Sequence, residues 1–484
     1  MLDPSEDEIR RWGESAVSAM ADYLGGIRER RLYPETSSAD IRAMLDEELP
    51  LEGVSFDELL ETFRNTIVPL SRQNAHPRMF GYAQAPGSAI AAVADLLAST
   101  LNANLTAWRS APAAVEIEML TIDWIKQILG FEQSAGGLFV SGGSMANFAA
   151  IAAARSAQAP EQLAAKGAQA LPQPMRIYAS RETHHSVAKA ATLLGIGHDN
   201  VCTIAADERC RLRIDDLVAQ IESDREAGRL PFCVVANAGT INTGACDPLT
   251  EVRAVADRFN LWMHVDASYG GFAIMAPSAR AMLAGIEQAD SIALDPHKWL
   301  YLPVGCGCVI YRDPASARTA FSHDADYTRI IGVEADEAFA FWDYGPELSR
   351  RFRALKVWML IKSVGVRALS ESIEKDLACA RYLERLVNAS DDFEMLAAVE
   401  LSIFCFRYLP PGLDRGHDDA EISQFNERLL VALQRDGSSY LSNATINGRF
   451  ALRGCVMNYR TQLRDMEILL ADLRRVVASM RSSP

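Results

Sequence analysis

Between about Pro86 and Trp358, short apolar runs alternate with helical patterns, and few architectures can absorb that rhythm. The runs are Met175–Ala179, Val201–Ala205, Phe232–Ala236, Leu261–Val265, Ser291–Leu294 and Cys306–Tyr311; helical stretches such as Ile214–Glu226 and Leu249–Phe259 lie between them. Strands that are apolar along their whole length are buried on both faces, and strands joined through helices run parallel. The pattern predicts an α/β domain built on a mainly parallel sheet. In open sheets of this kind ligands bind beyond the C-terminal ends of the strands. Polar residues at those ends are therefore the first candidates for function.

Three such features occur. The run Ser291-Ile-Ala-Leu294 ends at Asp295-Pro296, and a lysine follows directly in His297-Lys298-Trp299. A lysine partly withdrawn from water loses preference for its charged form and becomes a nucleophilic amine, as Schiff-base chemistry requires. A single such lysine is more often a snorkelling side chain, but its company argues otherwise. Upstream, His264-Val265-Asp266 closes another apolar strand with an acid, followed by small residues. Further back, Gly137-Leu-Phe-Val-Ser-Gly-Gly-Ser144 reads as a strand, a glycine turn and the start of an Ala-rich helix reaching about Arg155. Free N–H groups at a helix N-terminus, with the helix dipole behind them, suit a phosphate. The turn lacks the G-x-G-x-x-G of dinucleotide folds and the Gly-Lys-Ser/Thr of nucleotide triphosphatases. An amine, an acid and a phosphate cradle together meet the needs of pyridoxal 5'-phosphate: an amine for its aldehyde, a carboxylate for its ring nitrogen and donors for its phosphate.

The ordered blocks Ser141-Gly-Gly-Ser144, Thr183-His-His-Ser186, Asn237-Ala-Gly-Thr240, His264-Val-Asp-Ala267 and Asp295-Pro-His-Lys-Trp299 resemble the group II pyridoxal-phosphate decarboxylases, in particular the aromatic-L-amino-acid decarboxylase-like branch. The likeness runs from about His76 to Trp358. It implies the fold type I architecture, with an N-terminal helical arm, a large cofactor domain and a small α+β domain. It also implies roles. Lys298 carries the cofactor as a Schiff base, Asp266 faces the ring nitrogen, and Ala267 leaves room for the ring. Gly142, Gly143 and Ser144 hold the phosphate, with His297 contributing. A histidine stacks on the ring, His184 by the alignment of the following residues, with His185 as the alternative. Thr240 matches the family's Gly-Thr, but Ile241 stands where many members have a second threonine, so Thr240 and Thr243 both remain candidates for the ring contact. Tyr82, in the segment Asn74-Ala-His-Pro-Arg-Met-Phe-Gly-Tyr82, lies on the substrate side. Tyr327, in the irregular stretch Phe321–Gly332, matches the family's loop proton donor, ahead of His323. A tyrosine there favours the amine-forming decarboxylases over the aldehyde-forming variants.

The same resemblance makes an aromatic amino acid the first expectation for substrate. Asn74, Ala83 and Thr106 stand where animal aromatic decarboxylases carry bulky aromatics, which leaves a non-aromatic or acidic amino acid as an alternative. Aldehyde synthesis or transamination on the same fold, and a non-catalytic dimeric protein, are further readings. They separate by CO₂ release, by ammonia and peroxide, and by the visible absorbance of bound cofactor.

With 484 residues the chain is too long for one simple core. The expected division is 1–85, a helical dimerisation segment; 86–360, the cofactor domain; and 361–484, the small α+β domain. Ser5 with Glu8 forms a capping-box spacing that opens a helix ending near Gly25-Gly26, and its apolar positions at three and four demand a buried face. The family resemblance implies that this face packs in a homodimer. In the last segment Glu400–Tyr408 reads as a strand, Ile422–Leu433 and Leu463–Val477 as helices, and Arg453 as structural. A formal net charge of −15 argues against nucleic acid or anionic membrane as partner. Nine cysteines without C-x-x-C or Cys/His spacing read as reduced thiols rather than a zinc site, and no apolar run approaches a membrane span or a secretory h-region. The expected location is cytoplasmic.

Overall fold

A computed structural model describes residues 2–159, 163, 166–167, 171, 173–322 and 336–482. The central strands are β1 (Gly136–Val140), β2 (Met175–Ser180), β3 (Val201–Ile204), β4 (Leu230–Asn237), β5 (Trp262–Asp266), β6 (Ser291–Leu294) and β7 (Gly307–Tyr311). They form one seven-stranded sheet in the order β1-β7-β6-β5-β4-β2-β3. Strands β3, β2, β4, β5 and β6 run parallel, whereas β7 is antiparallel to both β6 and β1. Two reversals restore direction, so β1 ends on the same edge of the sheet as β5 and β6. That edge therefore collects the glycine turn after β1, the acid at the end of β5 and the lysine after β6.

Burial explains the strand patterns. Every residue of β5, β6 and β7 is buried, which requires cover on both faces. The Gly143–Gln158 helix packs across β4, β5, β6 and β7, and the Ile214–Glu226 and Leu249–Phe259 helices pack on β3, β4 and β5. Alanines at 146, 149, 150, 152, 153 and 154 allow the first of these to lie close to the sheet.

The chain divides into two compact units: Met1–Pro86, Arg381–Leu396 and Cys405–Pro484 in one, Gly87–Ala380 and Ala397–Phe404 in the other. The first unit opens with the Glu6–Gly25 helix, whose N-cap Ser5 forms a complete capping box with Glu8. A small four-stranded sheet follows the order β10-β11-β9-β8, with β8 at Phe393–Met395, β9 at Ile403–Tyr408, β10 at Ser442–Ile446 and β11 at Arg449–Cys455. Its pairs β10/β11 and β8/β9 are antiparallel, and the Asp419–Asp436 helix packs on β11 and on the Leu463–Ser482 helix. All nine cysteines are buried and none forms a disulfide. Among the described residues no helix is long and apolar enough to cross a membrane, and no His/Cys/Asp/Glu cluster could hold a metal ion.

Candidate active site

The C-terminal edge of the large sheet encloses a cavity of about 270 Å³. Lys298 and Asp266 both reach its wall, and so do Gly142, Gly143 and Ser144 at the start of the Gly143–Gln158 helix. His184 and His297 complete the set predicted from sequence that meets here.

Close approach forces the glycines. A Cβ on Gly143 would lie 2.4 Å from Ser268 Oγ and 2.8 Å from Asp295 Oδ2, and one on Gly307 would lie 2.5 Å from Gly142 Cα. Only side-chain-free backbone fits both sides of this turn. The result is a helix N-terminus that opens onto the cavity without a side-chain cap.

Lys298 sits in the single helical turn Pro296–Trp299 that follows β6, and its Nζ is 2.9 Å from Asp295 Oδ2. Asp295 Oδ1 is buried and has no hydrogen-bond partner. The turn is anchored from behind: Trp299 Nε1 and Tyr301 Oη donate to the buried Asp376 at 3.1 and 2.7 Å, and Tyr269 stacks on Trp299 at 5.1 Å.

Asp266, the last residue of β5, accepts from the Ser268 N–H at 3.1 Å and from Asn147 Nδ2 at 2.8 Å. Burial by itself raises a carboxyl pKa. Here the hydrogen bonds from Ser268 and Asn147 and the positive charge of Lys298 outweigh it, so Asp266 is held below the usual carboxylate range. The site keeps an anion in a nearly dry place.

His184 faces the cavity, while His185 is exposed and does not line it. Burial pushes the His184 imidazole down despite the nearby Asp266, and His297 is pushed down in the same way. His297 Nδ1 lies 2.8 Å from Cys306 O, which fixes the ring beside Gly142.

Other predicted residues stand off the wall. Thr240 and Thr243 are buried and hydrogen-bonded to each other at 3.0 Å; the residue that reaches the cavity between them is Ile241. Ala267 is fully buried and does not line the cavity. Tyr82 belongs to the first unit, where it is half exposed with its ring 6.3 Å from Tyr440 and Arg72 Cζ 4.9 Å above it. Tyr327 and His323 lie outside the described residues. Sequence reasoning missed Asn147, whose available signal is one amide in an Ala-rich helix, and Ser268, a hydroxyl directly after the small residue that follows the acid.

Residues 38–409 match the family described as pyridoxal-dependent decarboxylase conserved domain. An aromatic-L-amino-acid decarboxylase of Bacillus atrophaeus is 34% identical over 482 residues, covering 100% of this chain and 98% of that protein. A phenylacetaldehyde synthase of Petunia hybrida is 28% identical over 467 residues, 94% of this chain and 91% of that protein. The crystal structure of Oryza sativa TDC with PLP and tryptamine matches with a TM-score of 0.91 at 28% identity, covering 98% of this chain and 99% of that one.

Proposed function

This chain belongs to the pyridoxal-dependent decarboxylase family, and from that premise we propose that it converts an aromatic L-amino acid to its amine and CO₂, with Lys298 as the amine that holds the cofactor. The protein is a pyridoxal-phosphate-dependent amino-acid decarboxylase of fold type I. The observation that carries the finer reading is the convergence of three unlike groups on one cavity: a lysine amine, a carboxylate held anionic and a helix start stripped of side chains.

The residues present fit the cofactor. A helix start with no side-chain cap, where a Cβ on Gly143 would strike Ser268 and Asp295, leaves backbone N–H groups open to a phosphate. When bound, pyridoxal phosphate supplies an aldehyde that condenses with amines and a protonated ring that draws electrons away from Cα. Gly142, Gly143, Ser144 and His297 hold its phosphate, and His184 presents its ring to the cavity. Thr240 and Ala267 support the wall from behind, and Tyr82 is assigned to the substrate side.

Asp266, its anion stabilised by Ser268 and Asn147, would keep the ring nitrogen of a bound cofactor protonated. Asp295, whose Oδ2 lies 2.9 Å from Lys298 Nζ, orients the amine. Loss of CO₂ leaves an electron pair at Cα, and each turnover therefore takes up one proton; Tyr327 is assigned as its donor.

The aromatic preference rests on the full-length likeness to the Bacillus atrophaeus enzyme. A homodimer is supported by apolar side chains left exposed in the first unit, among them Ile9 and Val17 on the capped first helix and Leu49 and Leu51 beyond it. A cytoplasmic location is supported by nine cysteines, none of them in a disulfide.

The test is to measure CO₂ and amine across the common amino acids for wild type and Tyr327→Phe. Aromatic amino acids are expected to give amine and CO₂ in equal amounts, with amine formation reduced about 100-fold in the variant. Full amine production by Tyr327→Phe removes that residue from the mechanism. Aldehyde with ammonia from the wild type would favour a second reading, the aldehyde synthesis named for the Petunia hybrida relative.

A further inference from the structure

Asn147 lies in the second turn of the Gly143–Gln158 helix, 1% exposed, and it touches more than the carboxylate it stabilises. Its Nδ2 is 2.8 Å from Asp266 Oδ2 and 2.9 Å from Ser186 Oγ, and its Oδ1 is 2.9 Å from His264 Nε2. The amide has one orientation only. Asp266 is an anion and can only accept, so the NH₂ group must face it; turning the amide over would set a carbonyl against a carboxylate.

That orientation fixes every proton around it. Because Asn147 Oδ1 accepts, His264 carries its proton on Nε2, and its Nδ1 accepts from Ser291 Oγ at 2.9 Å. Ser291 Oγ in turn receives Trp262 Nε1–H at 2.8 Å. On the other branch His184 Nδ1 accepts from the Ser186 N–H at 3.3 Å, so Ser186 Oγ, which accepts from Asn147, donates to the same nitrogen at 2.8 Å. His184 therefore holds its proton on Nε2. His264 and Ser291 are both 0% exposed, so water does not compete for these bonds.

We infer that Asn147 is a positioning residue: one amide, itself held by His264 and Ser186, aims the Asp266 carboxylate at the cofactor and keeps the proton of His264 on Nε2. The inference rests on the cofactor reading above for its consequence, though not for its geometry. The charged and titratable groups that face Asp266 are Lys298, His264 and His184, and those facing His184 are Asp266, His185, Lys298 and Asp295. Removal of the Asn147 amide acts on Asp266 and His264 together. Asp266 loses a hydrogen bond to its charged form and takes up a proton at higher pH, while His264 loses the acceptor for its Nε2–H and keeps the Ser291 carbonyl, 3.2 Å from its Nδ1, as an alternative.

The test compares wild type, Asn147→Leu, Asn147→Ser and Ser291→Ala. With holoenzyme, the acid limb of the bound cofactor's absorbance titration should move up by about one pH unit in Asn147→Leu, and the apo-protein should bind pyridoxal phosphate about 10- to 100-fold more weakly. The KM for the amino acid should stay within about threefold, since the amide does not touch substrate. Asn147→Ser, which keeps a donor, and Ser291→Ala, which loosens His264, should shift the same limb by less. In apo-protein, ¹⁵N-histidine NMR should show His264 as the Nε2–H tautomer in wild type and as a mixture in Asn147→Leu. An unchanged acid limb and unchanged affinity in Asn147→Leu overturn the inference. Should that variant not fold, unshifted limbs in both milder variants overturn it equally. A wild type that binds no pyridoxal phosphate sinks the cofactor reading instead, and the histidine tautomer in apo-protein still decides this one.

Discussion

The seven-stranded and four-stranded sheets both bury charged side chains, and they treat them differently. In the small sheet Arg407, whose side chain is 1% exposed, donates Nε to Glu394 and Nη1 to Asp419, each at 2.6 Å. Its charge is spent on its own neighbours. At the edge of the large sheet Lys298 has one carboxylate at 2.9 Å, Asp295 keeps an oxygen without a hydrogen bond, and Asp266 is held anionic beside a cavity. A buried charge with complete partners fastens a fold; one with unused capacity facing empty space is arranged for something that comes and goes.

The contrast breaks most visibly at Lys298. Lys298→Ala should lower kcat/KM by at least about 1,000-fold and leave no borohydride-reducible adduct, whereas Arg407→Leu should leave kcat/KM per folded molecule within about twofold. Retention of a reducible adduct at this site without Lys298 would erase the distinction between the two sheets.

Acid tests a property that the two units share. Burial pushes His264 in the large sheet and His76 in the first unit from 6.5 down to about 4, so both stay neutral in the folded protein while the unfolded chain takes up protons. Their contribution to stability is complete above pH 6.5 and is lost as pH falls towards 4, by up to about 3 kcal/mol for each. The urea midpoint should fall across that window, and the fall should be shallower in His76→Asn. A flat midpoint between pH 6.5 and 4 would show that neither ring is withdrawn from water.

The smallest effect belongs to the completed charge. Arg407→Leu should cost about 2 kcal/mol in urea unfolding, less than for a fully buried pair because Glu394 and Asp419 are 23% and 38% exposed. A loss below about 0.5 kcal/mol would class this pair with surface ion pairs.

The parts legible in the sequence are those written in local pattern. Strands β4 to β7 stand out because burial on both faces keeps them largely apolar, and Ser5 announces its helix through a capping box completed three residues later. Lys298 and Asp266 are visible because a charge directly after an apolar run is costly unless used. By contrast, β10 is Ser-Asn-Ala-Thr-Ile, a strand buried on alternate residues whose inward positions include a serine, so its polarity hides its pairing with β11. The segment between Thr240 and Thr243 was equally opaque. Either threonine was compatible with a ring contact, and only the turn's path shows both turned towards each other with Ile241 on the cavity wall.

The sequence alone determined that this chain would build a mainly parallel sheet with an amine, an acid and a glycine turn at strand ends, because strand burial and turn chemistry are read from neighbouring residues. Only the tertiary structure decided what holds the acid in place. Asn147 meets Asp266 across 119 positions and His264 across 117, and the direction of each hydrogen bond depends on which groups are buried together. No local pattern encodes that juxtaposition; it exists once the helix after β1 lies down on β5.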